Sequence, residues 1–499
     1  MSTVDPHPAS AELAVATAAD IGADIAAGRT TSVDVTGRLL DRIAAIDQTG
    51  SIRTRAVLAV AADALDVAAR LDDELASGGC RGPLHGVPVL IKDNIEAIGL
   101  PGTAGSLALA DRVVTRDAPL VANLRGAGLV VLGSTNLSEW ANIRSSRSTS
   151  GWSAVGGLTA NPWALDRSAG GSSSGSGAAI AGGLAPLAIG TETDGSITCP
   201  SSLNGCVGLK PTVGLLSTVG IVPISKSQDA PGPMARSARD VALLMDVLAG
   251  SSDHASASGG VDLADVRVGV ARRWYTGHAA TDETFEAALE VLGAQHLSIR
   301  TSKVSSPARI VNDEMFVLLA ELRDDLDAYL RVRPGAGPRS LAEVVEFNRA
   351  HADVELIHFA QELFELAVAS EGTRSQAYAD ARARCLAWAI DECLGPALAA
   401  DTAPEFLVAP ASPPAWKTDF VLGDHNRASS PATSAPSIAG WPILCVPMGL
   451  VSGLPVGMVL IGRPDSETRL LAVANEIEHV LGLRASGALT PTWNDPTRP

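Results

Sequence analysis

The sequence predicts an α/β fold: a large mixed β-sheet covered by helices on both faces, with a helical insertion. Three observations predict it. Through the first part of the chain, short apolar runs bounded by Gly, Pro and small polar residues alternate with amphipathic stretches, the pattern of a sheet with helices on both faces. Residues 309–397 then change character to long helical patterns, many charges and little strand. Strand-like runs return at 406–408, 443–446 and 456–461, which implies that the C-terminal part rejoins the first sheet.

Taken in order, residues 9–47 read as two helices, the second starting on Thr31 or Ser32 as N-cap, with Val33, Leu39, Leu40, Ile43 and Ile46 as an apolar stripe. Residues 61–77 give an alanine-rich amphipathic helix that Gly78-Gly79 stops. Val87 to Ile91 is a short apolar run that suits a strand buried on both faces, and Lys92 stands at its end. A helix, a Gly stop and a strand at 129–132 follow, then a Gly/Ser-rich stretch leading into another buried strand before Thr-Asp-Gly-Ser. The Gly/Pro/Val-rich VGLKPTVGLLSTVGIVPIS reads as short strands and turns, Ser237 to Leu248 as a helix, Val266 to Val270 as a strand and 466–481 as a final helix. The boundaries that result are 1–70, an N-terminal helical region; 71–300, the core; 301–400, a helical insertion or cap; and 401–499, the C-terminal part of the core.

Composition narrows the function. In 499 residues, 46% are hydrophobic, enough for a large core, but aromatics are only 4%, so alanine, valine and leucine do most of the packing. The formal charge of −17 argues against a general nucleic-acid binder, which shows a basic face. The N-terminus lacks the basic n-region and apolar core of a signal peptide, and no run of about 18 apolar residues suggests a membrane span. Six cysteines form no CxxC pair and no dense framework, which suits reduced thiols in a cytoplasmic protein.

Several chemistries can be weighed on the motifs. His351 and His358, seven apart on a predicted helix, lack the spacing that places two zinc ligands on adjacent turns, so no metal site is expected. GGSSSGSG could cradle an anion, but no Gly-Lys-Ser/Thr ends it. Gly171 to Gly175 fits G-x-S-x-G formally, yet the preceding NPWALDRSAG reads as turn where a nucleophile elbow needs a strand. There remains a lysine with hydroxyls. Lys92 serves as a base only if burial keeps it neutral; on position alone it reads rather as a snorkelling lysine paired with Asp93. A second serine could relay its proton to a nucleophilic serine, and TETDGS offers a turn of small residues whose N–H groups could converge on an oxyanion.

The segments GVPVLIKDN (86–94), GGSSSGSGAA (170–179), GTETDGSITCP (190–200) and GLKPTVG (208–214), with PILCVPMGL and LPVGMVLIG further on, resemble the amidase signature family of serine hydrolases. The resemblance runs from about residue 10 to 483 and is weakest in 309–397. It implies the amidase-signature fold and a Ser–cis-Ser–Lys triad: Ser196 as nucleophile, Ser172 as the bridging serine with a cis peptide, and Lys92 as base. It further implies an oxyanion hole from the backbone N–H groups of Thr193, Asp194, Gly195 and Ser196, with Ser173 as a supporting residue and no metal or organic cofactor.

The usual family core reads GTDTGGSIR; here Glu192 replaces the Asp, Asp194 a Gly and Thr198 the Arg. With NLSEWAN (136–142), SGWSAVGG (150–157), GIVPIS and GDHN (423–426), this variant resembles the peptide amidase branch, which removes the C-terminal amide of peptides and amino-acid amides. The expected partner is therefore a peptide or small-molecule amide, with no nucleic acid and no membrane, acted on by a monomer or homodimer. An aryl acylamidase or other small-amide hydrolase is the near alternative. The amide-cleaving component of a tRNA-dependent amidotransferase, which works with partner subunits, is the more distant one. Trp152, Trp416 and Asp424 are candidate lining residues that read more simply as structural.

Overall fold

A computed structural model of the chain describes residues 11–49, 52–256, 259–306, 308, 310–398, 404–425, 431–491 and 493. The first ten residues, on which part of the leader reading rests, and Asn426 of the GDHN run lie outside these.

The strands in chain order are β1 (Val57–Val60), β2 (Pro88–Lys92), β3 (Val130–Thr135), β4 (Trp152–Ser153), β5 (Gly157–Leu158), β6 (Ala160–Asn161), β7 (Ala164–Ser168) and β8 (Leu187–Glu192). There follow β9 (Val207–Lys210), β10 (Ala230–Ala235), β11 (Arg267–Val270), β12 (Ser298–Thr301), β13 (Phe406–Pro410), β14 (Ile443–Val451) and β15 (Leu454–Ile461). Eleven of them form one sheet in the order β1-β3-β2-β8-β10-β9-β14-β15-β13-β11-β12. β2 runs parallel to β3 and β8, and β11 parallel to β12 and β13; the remaining neighbours are antiparallel, so the sheet is mixed. β4–β5 and β6–β7 are separate small hairpins.

The sheet has a core on each face because successive side chains of a strand point to opposite sides. Phe406 and Val408 join one apolar cluster while Leu407 and Ala409 join another. Leu444, Val446, Met458 and Leu460 divide in the same way from Ile443, Cys445, Val459 and Ile461. This explains why the strands read as unbroken apolar runs. The C-terminal strands do rejoin the N-terminal ones: β14 pairs with β9, and β13 with β11.

Residues 311–398 are built of helices and the connections between them, chief among them Val311–Val332, Leu341–Ala350, Glu362–Ala369 and Gln376–Leu386. Leu318, Leu322, Leu326 and Leu330 follow the helix period along the first of these. They pack with Leu341, Val344 and Phe364 onto Ala104, Leu109, Trp140, Val222 and Ile224, a third cluster apart from the two on the sheet. Trp140 and Phe364 meet edge to face with ring centroids 5.7 Å apart.

The structure departs from the sequence reading in places. Residues 11–48 hold three helical pieces rather than two, because Thr17 caps the helix Ala18–Ala26 by accepting from Asp20 N. Thr31 caps Ser32–Arg42 in the same way. β1 and β12 were hidden, the one inside an alanine-rich stretch and the other in the polar run SIRT. Residues 164–168, read as turn, form β7, paired to β6 across Pro162-Trp163, where Asn161 Oδ1 accepts from Trp163 N at 2.9 Å. His351 and His358 do not share a helix: His351 ends Leu341–Ala350, and His358 lies beyond the short helix Ala352–Glu355.

Candidate active site

β2 and β8 lie side by side as the third and fourth strands from the β1 edge of the sheet, and their C-terminal ends set the site. Lys92, the last residue of β2, is fully buried. Its Nζ lies 2.8 Å from Ser172 Oγ, 3.1 Å from Thr191 O and 2.8 Å from Thr191 Oγ1. The snorkelling reading with Asp93 is therefore overturned: the Asp93 carboxylate turns to Gly102 N, Thr103 N and Thr103 Oγ1 instead. Burial pushes the Lys92 pKa down to about 7, against the pull of the Asp229 and Glu192 carboxylates. Three partners suit both charge states. As an ammonium, Lys92 donates to all three; as an amine, it donates to the two Thr191 oxygens and accepts the Ser172 proton. The proton can thus change sides without side-chain rearrangement.

Ser172 is also fully buried, and the Gly171–Ser172 peptide is cis. Ser172 O accepts from Ser138 N at 3.1 Å. The next residue, Ser173, accepts from Thr191 N at 3.2 Å and donates to Thr191 O at 3.1 Å. Ser173 therefore fixes the strand residue that holds Lys92. Its hydroxyl, the middle of the G-x-S-x-G match, is 0% exposed and faces a strand, so it is no nucleophile elbow. Gly175 sits on the turn of chain behind it, where a Cβ would come within 2.3 Å of Ala56 O.

After β8 the chain turns through Thr193 to Ser196. Gly195 has φ +81, a conformation that other residues rarely adopt. Glu192 ties the turn back: its Oε2 accepts from Ile197 N at 2.6 Å and Thr198 N at 2.8 Å, at the start of helix Thr198–Asn204. Thr193 Oγ1 donates to Asp229 Oδ1 at 2.6 Å, and Asp229 Oδ2 accepts from Ile224 N and Ser225 N. Burial pushes Asp229 up to about 6. Ser173 N donates to Ser196 O at 3.1 Å, which joins the two serine-bearing stretches. Ser196 is 9% exposed, the most accessible of the three side chains. Among the described residues its Oγ makes no hydrogen bond, and the N–H groups of Asp194, Gly195 and Ser196 bond to no protein acceptor.

Sequence reasoning missed Thr191 and Asn94, whose Nδ2 donates to Thr191 Oγ1 at 3.0 Å. It also missed Asp229, Gln228 and Glu314. Only the nearness of Asn94 to Lys92 in the chain could have signalled one of them. Trp416 and Asp424 do meet: Trp416 Nε1 donates to Asp424 Oδ1 at 3.2 Å, and Asp424 also accepts from Ser150 N, which makes them a brace of the 416–424 loop. All six cysteines are free thiols, and burial pushes the pKa of Cys199 up to about 12. Among the described residues no three His, Cys, Asp or Glu side chains gather into a metal-binding group, and no helix is long and apolar enough to cross a membrane.

A lysine held near neutrality, a serine bonded to it and a second serine on a turn with free N–H groups can together deprotonate a hydroxyl and hold an oxyanion. That is the equipment of a serine hydrolase. The comparisons sharpen the class. The sequence profile of the amidase family matches residues 34–471. The chain is similar to the native peptide amidase of Stenotrophomonas maltophilia, with 41% identity and a TM-score of 0.88, covering 94% of this chain and 97% of that one. It is 34% identical over 472 residues to a component of the glutamyl-tRNA(Gln) amidotransferase of Symbiobacterium thermophilum, covering 90% of this chain and 93% of that protein. A putative amidase of Schizosaccharomyces pombe is 30% identical over 92% of this chain and 84% of its own length. The chain belongs to the amidase signature family, and it is an amidase, a hydrolase of amide bonds.

Proposed function

We propose that this amidase releases ammonia from C-terminal peptide amides or amino-acid amides through Ser196, Ser172 and Lys92. The observation that carries the reading is the buried Lys92, at about 7, in hydrogen-bond contact with Ser172 and next to the strand end that leads to Ser196. Neutral Lys92 accepts the Ser172 proton as Ser172 takes that of Ser196, and Ser196 Oγ attacks the amide carbonyl carbon. The oxyanion rests on the N–H groups of the turn Thr193–Ser196. The C–N bond breaks, the nitrogen takes the proton back through Ser172, and ammonia leaves. Water then attacks the acyl-enzyme by the same relay and frees the acid. The likeness to a peptide amidase at 41% identity supports the peptide-amide substrate. The six free thiols support a cytoplasmic enzyme, and we take it to work as a monomer or homodimer. On the same reading the helical region from 301 to 400 is a cap on the core.

Ammonia release from a peptide C-terminal amide, measured beside the matching free acid and an anilide, tests this. Preference for the amide is expected; preference for the anilide overturns the substrate and leaves the family standing. The second reading, the amide-cleaving component of a tRNA-dependent amidotransferase, draws on the 34% identity to such a component over 90% of this chain. It predicts glutaminase activity only when the other components of such a complex are added.

A further inference from the structure

The helix Val311–Val332 brings one polar side chain to the turn that carries Ser196. Glu314, in its first turn, is 7% exposed. Its Oε1 accepts from Gln228 Nε2 at 3.1 Å, and the same Nε2 lies 3.5 Å from Thr193 O. The Glu314 and Asp194 carboxyls are near enough for each to bear on the other's protonation. On its other side the Asp194 carboxyl meets the Thr433 and Ser434 side chains, its Oδ2 accepting from Ser434 Oγ at 3.0 Å. Among the described residues, Asp194 Oδ1 is buried with no hydrogen-bond partner. Two ionised carboxylates can only accept, so a bond between them requires a proton on one. A proton on Glu314 would give the pair the donor that two ionised carboxylates lack.

We propose that Asp194 and Glu314 share one proton and act as a positioning pair, bracing the turn Thr193–Ser196 against the helical region and keeping a second negative charge away from the oxyanion. The inference rests on the reading of Ser196 as nucleophile. Neither side chain touches the reacting atoms; both act through the turn. With the proton in place the pair carries one negative charge, and without it two, next to N–H groups that stabilise an anion.

The surroundings favour retention of the proton near neutrality. Burial and the Asp194 charge push Glu314 up to about 8, and burial raises Asp194 as well. Arg382 and Cys385 face Glu314 from the helix Gln376–Leu386, and Arg382 opposes the rise. Lys210 of β9 faces Asp194, Glu192 and Glu467 and is itself lowered to about 8 by burial. Two groups near the turn therefore change charge around pH 8, and a variant must separate them. Glu314→Gln does so, because its amide donates to Asp194 at every pH and leaves Lys210 untouched.

The experiment follows kcat/KM for a peptide amide, and the rate of fluorophosphonate labelling of Ser196, from pH 5 to 10. In the parent both are expected to rise through about 7 and fall above about 8. In Glu314→Gln the fall is expected to vanish, so that the ratio of variant to parent climbs about tenfold per pH unit above 8. The effect is expected in kcat, with KM unchanged, and Glu314→Leu is expected to lower kcat at every pH. A parent with no alkaline fall, or a fall that persists in Glu314→Gln, overturns the pair. A Ser196→Ala protein that still labels overturns the catalytic reading instead, and the pair is then judged by melting temperature. Because Glu314 keeps its proton in the folded state but loses it near 4.5 when unfolded, the pair's stabilisation is present below that pH and is lost as pH rises toward about 8. Glu314→Gln is expected to flatten that slope, and an unchanged slope overturns the shared proton.

Discussion

The segment from Gly170 to Pro200 and the helical region from Val311 to Leu398 both reach the turn that carries Ser196, by different physical means. The first reaches it through the chain itself. Its glycines allow a Cβ-free approach to Ala56 O and a left-handed turn at Gly195, and its hydroxyls bond to strand residues a few ångströms away. The second reaches it through packing. Leucines at helix spacing bury against Trp140, Val222 and Ile224, and one carboxyl, Glu314, extends to the turn from the end of a helix. Catalytic groups held by local bonds tolerate little change, whereas a packed region that meets the site at one polar point can lose stability before it loses chemistry.

The largest expected break in this comparison is Ser196→Ala, with amide hydrolysis down on the order of 10⁴-fold or more and the melting temperature nearly unmoved. Steady-state assay beside a thermal melt checks both. Lys92→Met follows, with a loss of roughly 10²- to 10⁴-fold, as expected for removal of a general base. With Lys92 as the proposed base, the neutral amine is the active form, so activity in the parent is expected to rise as pH passes about 7, and the pH profile of the variant should lack that limb. Stability tells the same story. The folded pKa of about 7 lies below the ordinary 10.5, so the folded state binds fewer protons between these values and parent stability should rise with pH across that window.

Glu192→Ala is next. It leaves Ile197 N and Thr198 N without their acceptor in a buried place, at a cost of about 1–3 kcal/mol, and should lower kcat more than KM because the turn loosens. Urea unfolding and a kcat-against-KM comparison check it. The smallest effect on activity is expected for Phe364→Ala in the helical cluster. It should cost about 3–5 kcal/mol of stability by cavity formation, yet change kcat/KM less than about tenfold while the protein stays folded. A larger drop in activity than in Glu192→Ala would show that the helical packing, and not the local bonds, governs the turn.

The two regions also differ in what a reader of the sequence can see. Lys92, Ser172, Ser173 and the turn Thr193–Ser196 were legible as candidates because they lie in the segments that resemble the amidase signature family. Most strands were legible because those buried on both faces are unbroken apolar runs. β7 was not, since ALDRS alternates no better than a turn and owes its pairing to the Asn161-anchored hairpin. Thr191 and Asp229 were not, since a threonine within a strand or an aspartate after a glutamine has no pattern of its own. Glu314 was one acid among many in a charged helical stretch.

By itself the sequence determined the fold class, the candidate site residues and the family, because these follow from local periodicity and from motifs read along the chain. Tertiary structure alone decided that Lys92 is buried rather than paired with Asp93, that Thr191 and Ser172 hold it, and that Glu314 from the helical region reaches the turn through Gln228. The reason is that a charge is tuned by the dielectric and partners around it, and those come from strands and helices far apart in the chain.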